Sequence, residues 1–177
     1  MKKFLSFSLC ILVLTASLLT ACGGGSGSSG GGSSAAKAPE NAVTTISSDG
    51  DIRILVATDG RKLVVSENGW HPTLGSGEGR ALTFRRVGGE QYALLDESTG
   101  MGIDVYENKT GVEGTLVAMY TLDTSAPGMK FTPVKNASKG TFSFKTVDGL
   151  YLSYVDGATD MTLSTTPMEF YLVPANK

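Results

Sequence analysis

Two short patterns recur three times along the chain, in the same order, and together they leave few folds open. The first reads Leu or Met, any residue, Phe, two further residues, Val. It occurs as Leu82-Thr83-Phe84-Arg85-Arg86-Val87, Met129-Lys130-Phe131-Thr132-Pro133-Val134 and Met168-Glu169-Phe170-Tyr171-Leu172-Val173. The second lies upstream of each and is a glycine followed by apolar residues three and five positions on. Its copies are Asp59-Gly60-Arg61-Lys62-Leu63-Val64-Val65, Thr99-Gly100-Met101-Gly102-Ile103-Asp104-Val105 and Asp148-Gly149-Leu150-Tyr151-Leu152-Ser153-Tyr154. The glycines are 40 and 49 residues apart and the phenylalanines 47 and 39. A period in the low forties marks units that cannot bury their apolar faces alone and must share one core.

Each pattern carries its own local geometry. Strand side chains alternate, so the Leu or Met two positions before each Phe shares its face. The valine three positions after the Phe falls on the other face, and the strand bends or ends there. A glycine after Asp or Thr, followed by alternating apolar residues, is hairpin chemistry, because the tight turn needs a positive φ. Five residues before each glycine stands a further apolar residue, Leu55, Leu95 or Phe144. Each unit thus offers a strand, a glycine hairpin, a second strand, a variable stretch and a closing strand on the Phe. No segment carries a sustained helical stripe, so the reading is all-β.

Three units of about four short strands resemble a β-trefoil, in which six strands close a barrel and three hairpins cap one end. Closure also removes exposed sheet edges. Within trefoils, Asp148-Gly149-Leu150-Tyr151-Leu152-Ser153 followed by Met168-Glu169-Phe170 is similar to the turn and closing strand of fascin-like domains. That resemblance covers the domain in outline and its specific motifs in repeats one and three only. It implies a fold and not actin bundling. The Gln-x-Trp motif of ricin-type repeats is missing, since the single tryptophan, Trp70, stands elsewhere.

The amino-terminal segment must be set apart from the fold. Lys2 and Lys3 give a positive end, and Phe4 to Leu19 is uncharged and mostly apolar. Sixteen helical residues would cover about 24 Å, short of a ~30 Å hydrocarbon core. The segment ends Leu19-Thr20-Ala21-Cys22, which resembles the lipobox of bacterial lipoproteins. The resemblance implies that residues 1–21 are a signal peptide, that cleavage precedes Cys22, and that Cys22 is lipidated and anchors the chain in the cell envelope. Gly23 in place of Asp implies the outer membrane where a cell has two. The alternative is an ordinary secretory signal with a chance cysteine. Residues 22–39, almost wholly Gly, Ser and Ala, read as a flexible tether, because such composition cannot offset chain entropy by burial. Residues 40–177 are long enough for one core without staples.

Composition then narrows the function. The only cysteines are Cys10, lost with the signal, and Cys22, which excludes a disulfide, a thiolate metal site and a catalytic cysteine. Loss of Lys2 and Lys3 leaves 13 basic against 17 acidic side chains, a net charge of −4. With no basic block, nucleic acid is not expected as a partner. His71 is the sole histidine, and no nucleophile elbow, zinc motif, phosphate loop or Ca²⁺ loop is present. No catalytic residue, metal or cofactor is therefore expected. Asp96-Glu97 and Asp156 with Asp160 read as solvated loop acids, and Gly75 to Gly79 as a flexible loop.

Glu67-Asn68-Gly69-Trp70-His71-Pro72 is the strongest candidate site. Trp, His and Asn share a turn-rich stretch where no strand buries them. An exposed indole offers a flat face to sugar C–H groups, and Glu67, Asn68 and His71 offer hydrogen bonds to hydroxyls. The sequence leaves open whether Trp70 instead packs over the open end of the barrel. Tyr106-Glu107-Asn108 is a weaker candidate of the same kind. The expectation is a non-catalytic binding domain displayed at a membrane, with a surface carbohydrate first. The alternatives are a protein-interaction subunit of an envelope assembly or a hydrolase inhibitor of the trefoil type.

Overall fold

The computed structural model describes residues 36–47 and 49–175. The signal peptide, Cys22 and most of the Gly/Ser tether lie outside the described residues. At Ala36 the chain already meets the domain, donating its N–H to Thr58 O at 3.0 Å.

Twelve strands form three sets of four. The first set is β1 (Asp51–Ala57), β2 (Lys62–Val65), β3 (Pro72–Gly75) and β4 (Ala81–Gly88). The second is β5 (Gln91–Asp96), β6 (Met101–Val105), β7 (Val117–Thr121) and β8 (Thr132–Asn136). The third is β9 (Thr141–Lys145), β10 (Tyr151–Ser153), β11 (Thr162–Ser164) and β12 (Phe170–Pro174). The turns between the first two strands of each set sit on Gly60, Gly100 and Gly149, with φ of 92°, 71° and 97°. Side chains other than glycine seldom adopt that conformation, so the repeated glycine is a turn requirement.

The outer strands of the three sets close a barrel. β1 pairs β4, β4 pairs β5, β8 pairs β9, β9 pairs β12, and β12 returns to β1, all antiparallel. The remaining join, β5 to the start of β8, is a bridge in which Tyr92 and Phe131 exchange both backbone hydrogen bonds, at 2.8 and 3.0 Å. The inner strands form the hairpins β2–β3, β6–β7 and β10–β11. This is the β-trefoil architecture expected from the repeats.

The core confirms the register. Phe84, Phe131 and Phe170 are fully buried, as are Leu63, Ile103 and Leu152 from the hairpins. Burying each such side chain contributes roughly 1.5–3 kcal/mol. Rings run in a row, with Tyr92 and Phe84 at 6.2 Å, Phe84 and Phe144 at 5.8 Å, and Phe144 and Phe170 at 6.0 Å. The valines that end the Phe pattern do face away, Val134 being exposed and Val87 and Val173 half-buried.

The hairpins are stitched around the three-fold axis by backbone bonds. Met119 N donates to Trp70 O at 2.9 Å, and Leu163 N makes the equivalent bond to Thr115 O at 3.0 Å. In a second ring, Val117 N donates to Met161 O and Met161 N to Pro72 O. The third member would need an N–H on Pro72, which proline lacks. Symmetry is therefore broken at the first hairpin, beside Trp70.

Candidate functional site

The loop joining β2 to β3 projects Trp70, and its own polar groups fix its shape. Ser66 N donates to His71 O at 2.9 Å and Gly69 N to Ser66 O at 2.8 Å. Asn68 Oδ1 accepts from Ser66 Oγ at 2.6 Å and from Trp70 N at 3.0 Å. Asn68 Oδ1 is thus engaged in building the loop that presents the indole. Trp70 does not lie under the barrel: it is 47% exposed. Its ring meets Tyr120 of β7 edge-on, with centroids 5.6 Å apart and planes at 70°.

The two rings form a corner of a groove of about 240 Å³, which Tyr106, Leu116, Ala118 and His71 also line. Tyr106, Leu116 and Tyr120 are 44%, 48% and 38% exposed. Tyr106 and Leu116 are the two ends of the long loop between β6 and β7, and that loop is held at several points. Glu107 and Asn108 adopt left-handed φ of 53° and 54°. Asn108 Oδ1 accepts from Gly128 N at 2.9 Å. Thr110, buried, hydrogen-bonds Asp148 through its hydroxyl and accepts from Thr146 Oγ1 through its carbonyl. Glu113 Oε1 accepts from Thr165 N and from the hydroxyls of Thr165 and Ser164, which holds its carboxyl below the usual range. Such anchoring pre-organises a surface, and a pre-organised surface loses less entropy on binding.

Charges at the rim are locally compensated. His71 Nδ1 lies 3.0 Å from Asp160 Oδ1, tying the first hairpin to the third. Lys109 Nζ lies 2.6 Å from Glu107, which lowers the glutamate pKa chiefly through the hydrogen bond between them. Glu67 is exposed in the Trp70 loop.

Of the sequence candidates, the structure places Trp70 and His71 on one groove, Asn68 in the loop behind it, and Glu67 on the outer surface. It adds Tyr106, foreseen as a weaker candidate, and Tyr120 and Leu116, which were not foreseen. A signal for Tyr120 did exist. The pairs Leu63–Leu74, Ile103–Met119 and Leu152–Leu163 align the hairpins, so Tyr120 stands where Gly75 and Ser164 stand. By the same alignment Trp70 corresponds to Thr115 and Thr159, and Tyr106 to Ser66 and Val155. Rings therefore gather at one of the three junctions.

Two expectations need correction. Asp96 is not a solvated acid: it is buried, accepts from Ser98 N and Oγ, and faces Arg80 at 3.3 Å. Asp156 is the solvated acid expected, its side chain 85% exposed although Arg61 reaches it, whereas Asp160 is half-buried and faces His71 Nδ1 at 3.0 Å. The Gly75–Gly79 run is not a loose loop throughout. A Cβ on Gly79 would overlap Ile54 of β1, so the turn is packed onto the barrel.

A larger hollow of about 700 Å³ lies between Pro39, Ile54, Val56, Lys62, Glu78 and Val173. No aromatic ring lines it, so it offers no stacking surface. Among the described residues, no three His, Cys, Asp or Glu side chains are grouped to hold a metal.

No protein-family model matches the chain, and no curated protein does. Solved structures do. A designed three-fold symmetric protein, ThreeFoil, superposes with a TM-score of 0.60 at 18% identity, covering 70% of this chain and 99% of its own. The BEL β-trefoil gives 0.60 at 16%, covering 76% and 99%. SeviL, solved bound to asialo-GM1 saccharide, gives 0.56 at 14%, covering 72% and 99%. At these identities the likeness speaks for the fold. The chain is a β-trefoil protein with an aromatic groove where two of its three hairpins meet.

Proposed function

We propose that the chain is a lipid-anchored envelope protein whose β-trefoil binds carbohydrate and catalyses nothing. The observation that carries the binding reading is the exposed face of Trp70 beside Tyr120 and Tyr106, on loops held rigid by their own hydrogen bonds. A flat ring facing solvent at a pre-formed corner suits the apolar face of a sugar. SeviL shows the same fold with a saccharide bound. Anchoring rests on the Leu19-Thr20-Ala21-Cys22 segment. The absence of catalysis rests on the residue types: a single histidine, directed at Asp160, and no nucleophile motif.

A protein partner is the second reading, favoured by the exposed Leu116 among the rings. Large aromatic side chains are the commonest anchors of protein interfaces. A glycan array probed with the intact chain, run beside a pull-down from envelope extract, separates the two. Selective array signals support the carbohydrate reading, whereas a silent array with one stoichiometric protein partner overturns it.

A further inference from the structure

The groove is rich in ring faces, and two polar atoms beside them are already engaged. Asn68 Oδ1 is taken by Ser66 and Trp70, and His71 Nδ1 by Asp160. A group that needs ring faces and no hydrogen bond fits such a corner. Trp70 and Tyr120 stand at 70° with centroids 5.6 Å apart, so a ligand in their corner meets aromatic surface on two sides. Tyr106 supplies a third ring on the same groove.

Ring faces are electron-rich, and a quaternary ammonium spreads its charge over methyl groups with no N–H to satisfy; three-sided aromatic sites recognise such cations. The surrounding charge agrees. The groove's one basic lining residue, His71, faces Asp160, and Lys109 nearby is held by Glu107. Glu67, in the same loop as Trp70, forms no ion pair among the described residues. No uncompensated positive charge opposes a cation there.

We propose that this groove binds a trimethylammonium group of the choline type. The proposal rests on reading the groove as the ligand site, and it names the substituent seated there. Two sources carry that chemistry: a choline-substituted surface glycan and a phosphatidylcholine headgroup.

Trp70 is the chain's only tryptophan, so its fluorescence reports on the groove directly. The mature chain, in a polyoxyethylene detergent, is titrated with choline and with its neutral isostere 3,3-dimethyl-1-butanol. Choline is expected to change the emission saturably, with a half-saturation about tenfold lower than the isostere. Tyr120→Leu and Tyr106→Leu should each weaken choline several-fold at an unchanged melting temperature. The wild-type comparison stands by itself if either variant fails to fold. A phosphocholine-substituted carrier and phosphatidylcholine vesicles then show which source is preferred. Equal response to the isostere, or no saturable response to choline, overturns the proposal. Glycan-array signals alongside that failure leave the carbohydrate reading standing and remove this one alone.

Discussion

Replacing Phe144 by alanine removes the middle of the aromatic row that joins the three repeats. Phe144 is fully buried and meets Phe84 at 5.8 Å and Phe170 at 6.0 Å. Truncating a buried Phe costs about 3–5 kcal/mol through lost transfer energy and the cavity left behind. Each ring pair adds roughly 0.5–1.5 kcal/mol beyond burial. Phe131 is equally buried but forms no ring pair among the described residues. With two pairs lost, Phe144→Ala should therefore cost about 1–3 kcal/mol more than Phe131→Ala, near the top of the usual range. At about 2–4 °C per kcal/mol for a chain of this size, the melting temperature should fall by roughly 10–20 °C. Urea unfolding followed by far-ultraviolet circular dichroism measures both. A double-mutant cycle between Phe84→Ala and Phe144→Ala should show a coupling of about 0.5–1.5 kcal/mol. Equal costs for Phe131 and Phe144 with strict additivity would show that the row contributes nothing beyond burial. A cost below about 1 kcal/mol for Phe144→Ala contradicts a shared core altogether.

Asp104 carries a buried Oδ1 with no hydrogen-bond partner, and burial first, then Asp123, raises its pKa. An acid raised in the folded state costs stability once ionised, fully above the folded pKa and not at all below the unfolded one. Asp104→Asn should therefore stabilise the chain near neutrality, with the gain shrinking as pH falls through the raised pKa; a gain independent of pH would contradict this. Asn68→Ala removes the acceptor that holds Ser66 Oγ and Trp70 N. It should cost only about 0.5–1.5 kcal/mol overall yet raise the access of acrylamide to Trp70, and unchanged quenching would count against the loop account. Intact-mass analysis should find the mature chain beginning at an acylated Cys22, and Cys22→Ser should leave it uncleaved or unlipidated; an unmodified Cys22 in the wild type removes the anchor.

The fold was legible because its requirements are local and repeated. A glycine at positive φ, an apolar residue three positions on and a buried Phe near each repeat's end are set by turn and strand geometry, so the sequence displays them three times. The site was half legible. Trp70 and His71 declare themselves by standing in a turn, but the groove depends on Tyr120, Leu116 and Asp160, up to 90 residues away from Trp70. Only the stacking of one hairpin against the next brings them together. Asp96 misled for a related reason: its partner Arg80 lies on the approach to β4, and nothing in Asp-Glu-Ser-Thr marks the first acid as buried. The structural part Asn68 plays was not legible, because a side chain that caps its own loop and one that meets a ligand look alike in sequence.

The most direct measurement of the central claim is the carbohydrate binding of the intact chain and of Trp70→Ala on the same array. Trp70 is half exposed and touches Tyr120 edge-on, so its loss should leave the melting temperature within a few degrees. An interface anchor of this kind is worth about 2 kcal/mol or more, which corresponds to a loss of roughly 30-fold in affinity. Binding by the wild type that falls at least that far in the folded variant is the expected result. Undiminished binding by Trp70→Ala would place the ligand elsewhere on the trefoil and contradict the account.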